Sequence, residues 1–151
     1  MTITEELSRF TTLFIDTAPF IYYIEAHPHF GPITKDVFDL VFSGQITAYS
    51  SVLTLTEVLP KPIESKNEKL AQRFTEFLEH GKNLILLEVT ARIASSAGKL
   101  CGRYPRLRAL DSVQIAAALD VGADAFLTND KRLKGIHDIR VVLLSDYLSA
   151  D

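Results

Sequence analysis

Along the chain, short continuous apolar runs alternate with longer stretches whose apolar residues recur at helical spacing, the pattern of a buried parallel sheet with helical crossovers. Thr12 to Ile15 reads as the first strand, ending at Asp16, and Pro19 to Ile24 opens a helix whose first turn tolerates proline. Ile33, Val37, Leu40 and Val41 keep helical spacing up to Gly44, and Ile46 to Tyr49 reads as the second strand. Ser50 or Ser51 is placed to cap the next helix, which carries Leu53 and Glu57 one turn apart and must end before Pro60 and Pro62. The polar segment KPIESKNEK reads as an exposed connector to a helix from Leu70 to Glu79, closed by Gly81. In the second half, Leu84 to Val89 predicts a strand and Ala91 to Leu100 a helix, followed by the irregular piece CGRYPRLRA. Asp111 to Val121 is the clearest helix: Ala116, Ala117 and Ala118 allow close approach to a sheet, and Gly122 provides the exit. Ala125 to Thr128 and Val141 to Leu144 supply the last strands, with a turn at Asn129 to Leu133 between them. The expectation is an α/β fold, a single three-layer α/β/α domain spanning residues 1–151 with its core at about 12–148 and helices on both faces of the sheet.

Composition changes this picture little. The chain has 151 residues, 47% hydrophobic and 23% charged, which excludes disordered and fibrous classes. Its 16 Lys and Arg against 19 Asp and Glu give a net charge of −3, so no broad basic surface coats nucleic acid. Cys101 is the sole cysteine and excludes an internal disulfide. No apolar run suits a membrane span, and MTITEELSRF lacks the positive start and apolar stretch of a leader, so the expected location is the cytoplasm, away from membranes.

Candidate chemistry gathers at the strand ends, because open parallel sheets bind ligands outside the carboxyl ends of their strands, where strand order reverses. Asp16 and Asp130 lie one and two residues past expected strand ends, Glu57 lies in the helix after the second strand, and Asp111 opens the alanine-rich helix. Each has a structural reading of its own. Asp16 and Asp130 suit helix caps, and Asp111 with Gln114 fits a capping box. Glu57 shares a face with Leu53 and has no basic partner on its own helix, a costly arrangement unless something cationic meets it. Taken together, carboxylates crowded at one sheet edge repel each other unless a divalent cation neutralises them, and a ligand set without cysteine or histidine suits Mg²⁺ or Mn²⁺ over zinc. Such a cation is a recurring means of attacking a phosphodiester with water, which points to a metal-dependent nuclease. His27-Pro28-His29 lacks a third ligand and reads as a loop, and neither GxGxxG nor GxxxxGK[ST] occurs.

FIDTAPFIYYIE, SVLTLTEVL, LRALDSVQIAAAL and FLTNDKRL resemble, in order and spacing, the four motifs of the PIN (PilT N-terminus) domain, particularly those of VapC-type toxin ribonucleases. The resemblance spans about Leu13 to Leu144. It implies a five-stranded parallel sheet, a catalytic and metal-binding set at Asp16, Glu57, Asp111 and Asp130, and supporting hydroxyls at Thr17 and Thr128. It further implies Mg²⁺- or Mn²⁺-dependent endoribonuclease activity on RNA and a cognate antitoxin as partner. Ala18 and Pro19 depart from the serine or asparagine and aliphatic residue common in the family, which removes any hydrogen bond made from that position; Ser112 replaces a frequent alanine. Arg103, Arg106 and Arg108 before Asp111, and Lys131, Arg132 and Lys134 after Asp130, read as candidate contacts to RNA phosphates or as solvated surface. Tyr104 reads as a base-stacking ring or a core aromatic, and Cys101 as a small buried residue. The apolar excess at Phe20, Tyr22, Tyr23, Phe38, Val41 and Phe42 fits core packing, a homodimer face or a groove for a partner helix. The competing classes are a catalytically silent PIN-like RNA-binding or protein-interaction module, which predicts loss of a carboxylate, and a phosphatase or receiver domain, which predicts an aspartate where Ala18 stands.

Overall fold

The computed structural model of the chain describes residues 1–148; Ser149 to Asp151, included in the expected span 1–151, lie outside the described residues. Five strands, β1 (Thr12–Ile15), β2 (Thr47–Ser51), β3 (Leu84–Leu87), β4 (Ala125–Thr128) and β5 (Arg140–Leu143), form one sheet in the order β3-β2-β1-β4-β5. Every neighbouring pair is parallel. The helices are α1 (Ile3–Leu7), α2 (Thr17–Ile24), α3 (Gly31–Phe42), α4 (Leu53–Val58), α5 (Pro60–Glu64), α6 (Glu68–His80), α7 (Ala91–Arg103) and α8 (Ala109–Val121), with 3₁₀ turns at Lys131–Gly135 and Leu144–Tyr147. Because the chain lays β2 and β3 on one side of β1 and β4 and β5 on the other, strand order reverses between β1 and β4.

Alternation along each strand builds two cores, since successive side chains point to opposite faces. Leu13, Ile15 and Leu127 join the core packed by α1, α2, α3 and α6 through Leu7, Phe20, Phe38 and Phe74. Phe14 and Phe126 join the other, packed by Ile93 and Leu100 of α7 and Ile115 and the alanines of α8. The register pairs Phe14 with Phe126, and their rings stack at 5.4 Å with an interplanar angle of 5°. Burying a side chain of this size contributes about 1.5–3 kcal/mol. The three expected layers are therefore present. Phe20, Tyr23 and Phe42 pack on Phe38 or on Phe77 of α6 and Tyr22 stacks on Phe30, with Tyr22, Tyr23 and Phe42 only partly buried. None of the described helices is long and apolar enough to cross a membrane.

Several boundaries differ from expectation for identifiable reasons. β2 runs on to Ser51 because its ladder with β3 continues to Leu87, so Ser50 and Ser51 are buried strand residues, and Val52, with no side-chain cap bond, precedes α4. Pro60 does not simply end a helix. It opens α5 at a position where its missing N–H has no helical partner to lose, and Pro62 is buried, so part of the expected connector is folded. α7 continues to Arg103 and α8 begins at Ala109, which leaves only Tyr104 to Arg108 irregular. Asp111 is thus the third residue of α8 and not its cap, and the expected capping box with Gln114 does not form. Helix α1 carries the capping box instead, between Thr2 and Glu5, and the apolar pattern did not announce a helix of five residues.

Helix α1 also buries Glu6, 3% exposed, against the guanidiniums of Arg140 and Arg9. Burial pushes the carboxyl up, but the Arg140 and Arg9 charges and hydrogen bonds outweigh it and hold the pKa below the ordinary value. A depressed carboxyl stabilises the fold above its unfolded pKa and loses that contribution as pH falls through its folded pKa. Glu6→Gln is expected to lower the unfolding free energy by about 1–3 kcal/mol near neutral pH, with the deficit shrinking at about pH 3.5. Urea titrations at both values check this; an equal deficit at both contradicts the ion-pair account.

Candidate active site

Asp16 follows β1 directly and caps α2, its Oδ1 accepting the Thr17 N–H at 2.9 Å. Across the order reversal, the Thr128 hydroxyl at the end of β4 donates to Asp16 Oδ2 at 2.8 Å, and Thr128 Oγ1 accepts the Asp130 N–H at 3.1 Å. Glu57 reaches in from α4, where Oε1 accepts from the Thr17 hydroxyl at 3.0 Å. Both supporting hydroxyls therefore bridge to carboxylates. Asp111 projects from the first turn of α8, and Asp130 caps the 3₁₀ turn by accepting the Arg132 N–H at 3.0 Å. The capping roles of Asp16 and Asp130 and their place in the site are compatible, because capping uses only part of each carboxylate's accepting capacity.

One cavity of about 460 Å³ is lined by all four carboxylates together with Thr17, Thr128, Arg108 and Lys131. The electrostatics of the set are uneven. Burial raises the Asp16 carboxyl to about 6, aided by the charges of Asp111 and Glu57, while the hydrogen bonds from Thr17 and Thr128 pull the other way. Asp130 sits below its ordinary pKa because the Arg132 guanidinium forks onto it, at 2.9 Å to Oδ1 and 2.6 Å to Oδ2. Arg108 bridges Asp111 at 3.1 Å and Asp130 at 3.7 Å. Among the described residues, no three His, Cys, Asp or Glu side chains form a ready-made metal cage. The cause is visible: two carboxylates turn toward arginines. Those arginines are 64% and 62% exposed but the carboxylates only 18% and 22%, so parting the pairs costs about 1 kcal/mol or more each. The donor chemistry fits a hard divalent cation: oxygen ligands, with neither cysteine nor histidine lining the cavity.

A second groove of about 570 Å³ adjoins the acidic cavity, sharing Arg108 and Asp111 with it. Arg103, Arg106 and Arg132 line this groove, whereas Lys131 lines the acidic cavity and Lys134 pairs with Asp146 at 2.6 Å. Tyr104 is fixed by its hydroxyl, which donates to Asp138 at 2.6 Å, and its ring packs on the α7/α8 core. Glu57 is exposed, so the argument from a buried, unpartnered charge fails for it; its place in the cavity rests on α4 and Thr17. Cys101 is half-buried and makes a long contact to the Leu107 carbonyl. His27 Nδ1 accepts the N–H groups of His29 and Phe30, both at 3.1 Å, which confirms a turn. Two cavity residues escaped the sequence reading. Asn129 donates to the Tyr22 hydroxyl at 3.1 Å while its Oδ1 is buried without a partner. The sequence marks Asn129 as a turn residue and Tyr22 as part of the apolar excess of the first helices, and neither as part of the site.

The sequence profile of the PIN domain family matches residues 13–138. No curated protein matches the chain significantly. Among solved structures, VapBC2 from Rickettsia felis, bound to a promoter DNA fragment, aligns with a TM-score of 0.71 at 19% identity, covering 88% of this chain and 98% of its own. A toxin–antitoxin complex from Klebsiella pneumoniae aligns at 0.65 and 19% identity, covering 87% and 97%. VapC20 of Mycobacterium tuberculosis, described as a toxin that cleaves the sarcin–ricin loop, aligns at 0.66 and 17% identity, covering 85% and 98%. At these identities the likeness is one of fold.

A carboxyl raised above its unfolded pKa costs stability as pH rises from the unfolded value to the folded one, so Asp16 destabilises the fold increasingly between about pH 4 and 6. Asp16→Asn is accordingly expected to raise the unfolding free energy by about 1–3 kcal/mol near neutral pH and to flatten its pH dependence across that window. Denaturant midpoints across the window check this; a destabilised variant contradicts the assigned electrostatics.

Proposed function

The chain belongs to the PIN domain family, and from that membership we propose that it is a metal-dependent endoribonuclease, the toxin half of a toxin–antitoxin pair. The observation that carries the reading is the single cavity where Asp16, Glu57, Asp111 and Asp130 converge at the reversal of strand order. These four carboxylates would hold Mg²⁺ or Mn²⁺, directly or through water. Such a cation supplies an activated water for in-line attack on phosphorus and stabilises the leaving 3′ oxygen, giving 5′-phosphate and 3′-hydroxyl ends. Thr17 orients the system by donating its N–H to Asp16 and its hydroxyl to Glu57, and Thr128 holds the other Asp16 oxygen. Arg108 and Arg132, once parted from Asp111 and Asp130, become free guanidiniums for the RNA backbone, continued along the groove by Arg103 and Arg106, with Lys131 on the cavity side. An antitoxin partner is supported by the toxin–antitoxin complex among the similar folds. A catalytically silent binding module is the second reading, and the ion pairs of Arg108 and Arg132 with Asp111 and Asp130 favour it.

Incubation with single-stranded RNA, with and without Mn²⁺ or Mg²⁺, separates the two. Cleavage should require the cation, stop with chelator, and fall at least about 100-fold in Asp111→Asn without unfolding. Undiminished cleavage by that variant sinks the metal assignment, and cation-independent binding without cleavage selects the silent module. Arg106→Ala and Arg108→Ala should weaken RNA binding alike across sequences and reduce the salt dependence by about one phosphate contact each. An unchanged salt slope removes the groove from the RNA path.

A further inference from the structure

Between β2, α4 and α8 lies a set of polar side chains that the proposed chemistry does not use. Ser50, Ser51, Thr54 and Gln114 are each at most 1% exposed. The sequence suggests a cap at Ser50 or Ser51 and a capping-box partner at Gln114; Ser51 does accept the first N–H of α4, at Leu53, whereas Ser50 and Gln114 do no such work.

The proton of each hydroxyl can be placed by elimination. Ser51 Oγ accepts the Leu53 N–H at 3.2 Å and donates its own proton to Gln114 Oε1. The glutamine amide is thereby oriented, and its Nε2 donates to Thr54 Oγ1 at 3.0 Å. Ser50 spends its only proton on the Ile15 carbonyl at 2.9 Å, so the 2.9 Å contact between Ser50 and Thr54 is made with Thr54 donating. The bonds run in one direction, from the Leu53 amide through Ser51, Gln114, Thr54 and Ser50 to the Ile15 carbonyl. Flipping the glutamine would turn Thr54 toward Oε1 and leave Ser50 without the donor it now accepts from.

Each link stands close in sequence to a carboxylate. Ile15 precedes Asp16, Thr54 lies three residues before Glu57 on α4, and Gln114 lies three residues after Asp111 on α8, so each helical pair shares a face. We infer that Thr54 and Gln114, with Ser50 and Ser51, are positioning residues that lock the end of β1, α4 and α8 in one mutual placement and so set the spacing of three acidic side chains. Asp130 is tied to the same frame through Thr128 and Asp16.

Apolar contacts between these elements would be non-directional and would tolerate sliding. A buried chain in which every hydroxyl both donates and accepts does not slide, because one lost link leaves a buried polar group unsatisfied. The inference rests on the nuclease reading for its activity readout and on the structure alone for its geometry.

The test uses Thr54→Val, which keeps shape and removes both bonds, Thr54→Ser, which restores the hydroxyl, and Val142→Ala in β5 as a core variant remote from the chain. Four quantities are measured: urea midpoint, kcat and KM on single-stranded RNA with Mn²⁺, Mn²⁺ affinity from the electron paramagnetic resonance signal of the free ion, and crystal structures. Thr54→Val is expected to lose about 10–100-fold in kcat and in Mn²⁺ affinity with KM nearly unchanged, and Thr54→Ser to recover most of both. Val142→Ala should lose stability alone. A folded Thr54→Val with wild-type kcat and Mn²⁺ affinity overturns the inference, and so does an equal kcat loss in Val142→Ala. If the wild type neither binds Mn²⁺ nor cleaves RNA, the nuclease reading falls by itself. The crystal structures then decide: displacement of Asp16, Glu57 or Asp111 by about 0.5 Å or more in Thr54→Val supports positioning, and unmoved carboxylates refute it. Should Thr54→Val not fold, Ser50→Ala, which removes the links to Thr54 and Ile15 and leaves the bonds among Ser51, Gln114 and Thr54, is put to the same measurements with the same outcomes.

Discussion

The hydrogen bond from the Thr128 hydroxyl to the Asp16 carboxylate joins the ends of the two strands between which strand order reverses. The rest of the site depends on that junction. Parallel pairing of β1 with β4, from Leu13 and Ala125 to Ile15 and Leu127, brings both strand ends to one level, and the Asp16 N–H extends the ladder by donating to the Leu127 carbonyl at 2.9 Å. At the other end of the sheet, one Asp124 oxygen accepts from the Thr11 N–H, the Thr12 N–H and the Thr11 hydroxyl, which fixes the register from below. A slip of one residue would exchange Phe14 for Leu13 between the two cores and carry Asp16 away from Thr128.

The charge balance takes on meaning only once the site is located. Four carboxylates, Arg108 and Lys131 line one cavity, which leaves 15 acidic against 14 basic residues elsewhere, so most of the net charge of −3 is local to the site. The site splits into two halves. Asp16 makes no ion pair among the described residues and holds a raised pKa, while Asp111 and Asp130 are met by arginines drawn from the adjoining basic groove. An acidic cavity opening directly into a cationic groove suits a ligand that carries its own negative charge but must approach carboxylates, as a phosphodiester does when a divalent ion accompanies it.

How much was legible in the sequence follows from how local each signal is. β1 and β4 are legible to the residue because TLFI and AFLT are short, mainly apolar runs followed by polar residues. All four carboxylates were found because the rule about strand ends needs only topology, and topology follows from alternation. The start of α8 was misjudged because Asp111 looks like a cap, whereas Arg108, an extended residue without a capping bond, precedes the helix. Glu57 is exposed and held by Thr17, so of the two signals that single it out, its place after the second strand stands and the cost of an unpartnered charge does not. Ser50, Ser51 and Gln114 were legible as polar residues near helix starts, but their true partners lie up to 63 residues away, and no local pattern encodes such a pairing.

Those distant pairings bear on why the site can hold its shape while its charges oppose it. Burial is the main cause of the raised Asp16 carboxyl, and the Asp111 and Glu57 charges add to it, so the spacing of these groups matters. The two cores supply cohesion, but cohesion alone permits α4 and α8 to drift by fractions of an ångström at little cost. Directional bonds among groups that are costly to leave unpaired do not permit this, and here they end on the residue before Asp16 and pass within one helical turn of Glu57 and Asp111. The polar chain and the acidic cavity are thus two parts of one construction: the first fixes the elements that carry the carboxylates, and a cation entering the cavity would still have to draw Asp111 and Asp130 away from Arg108 and Arg132.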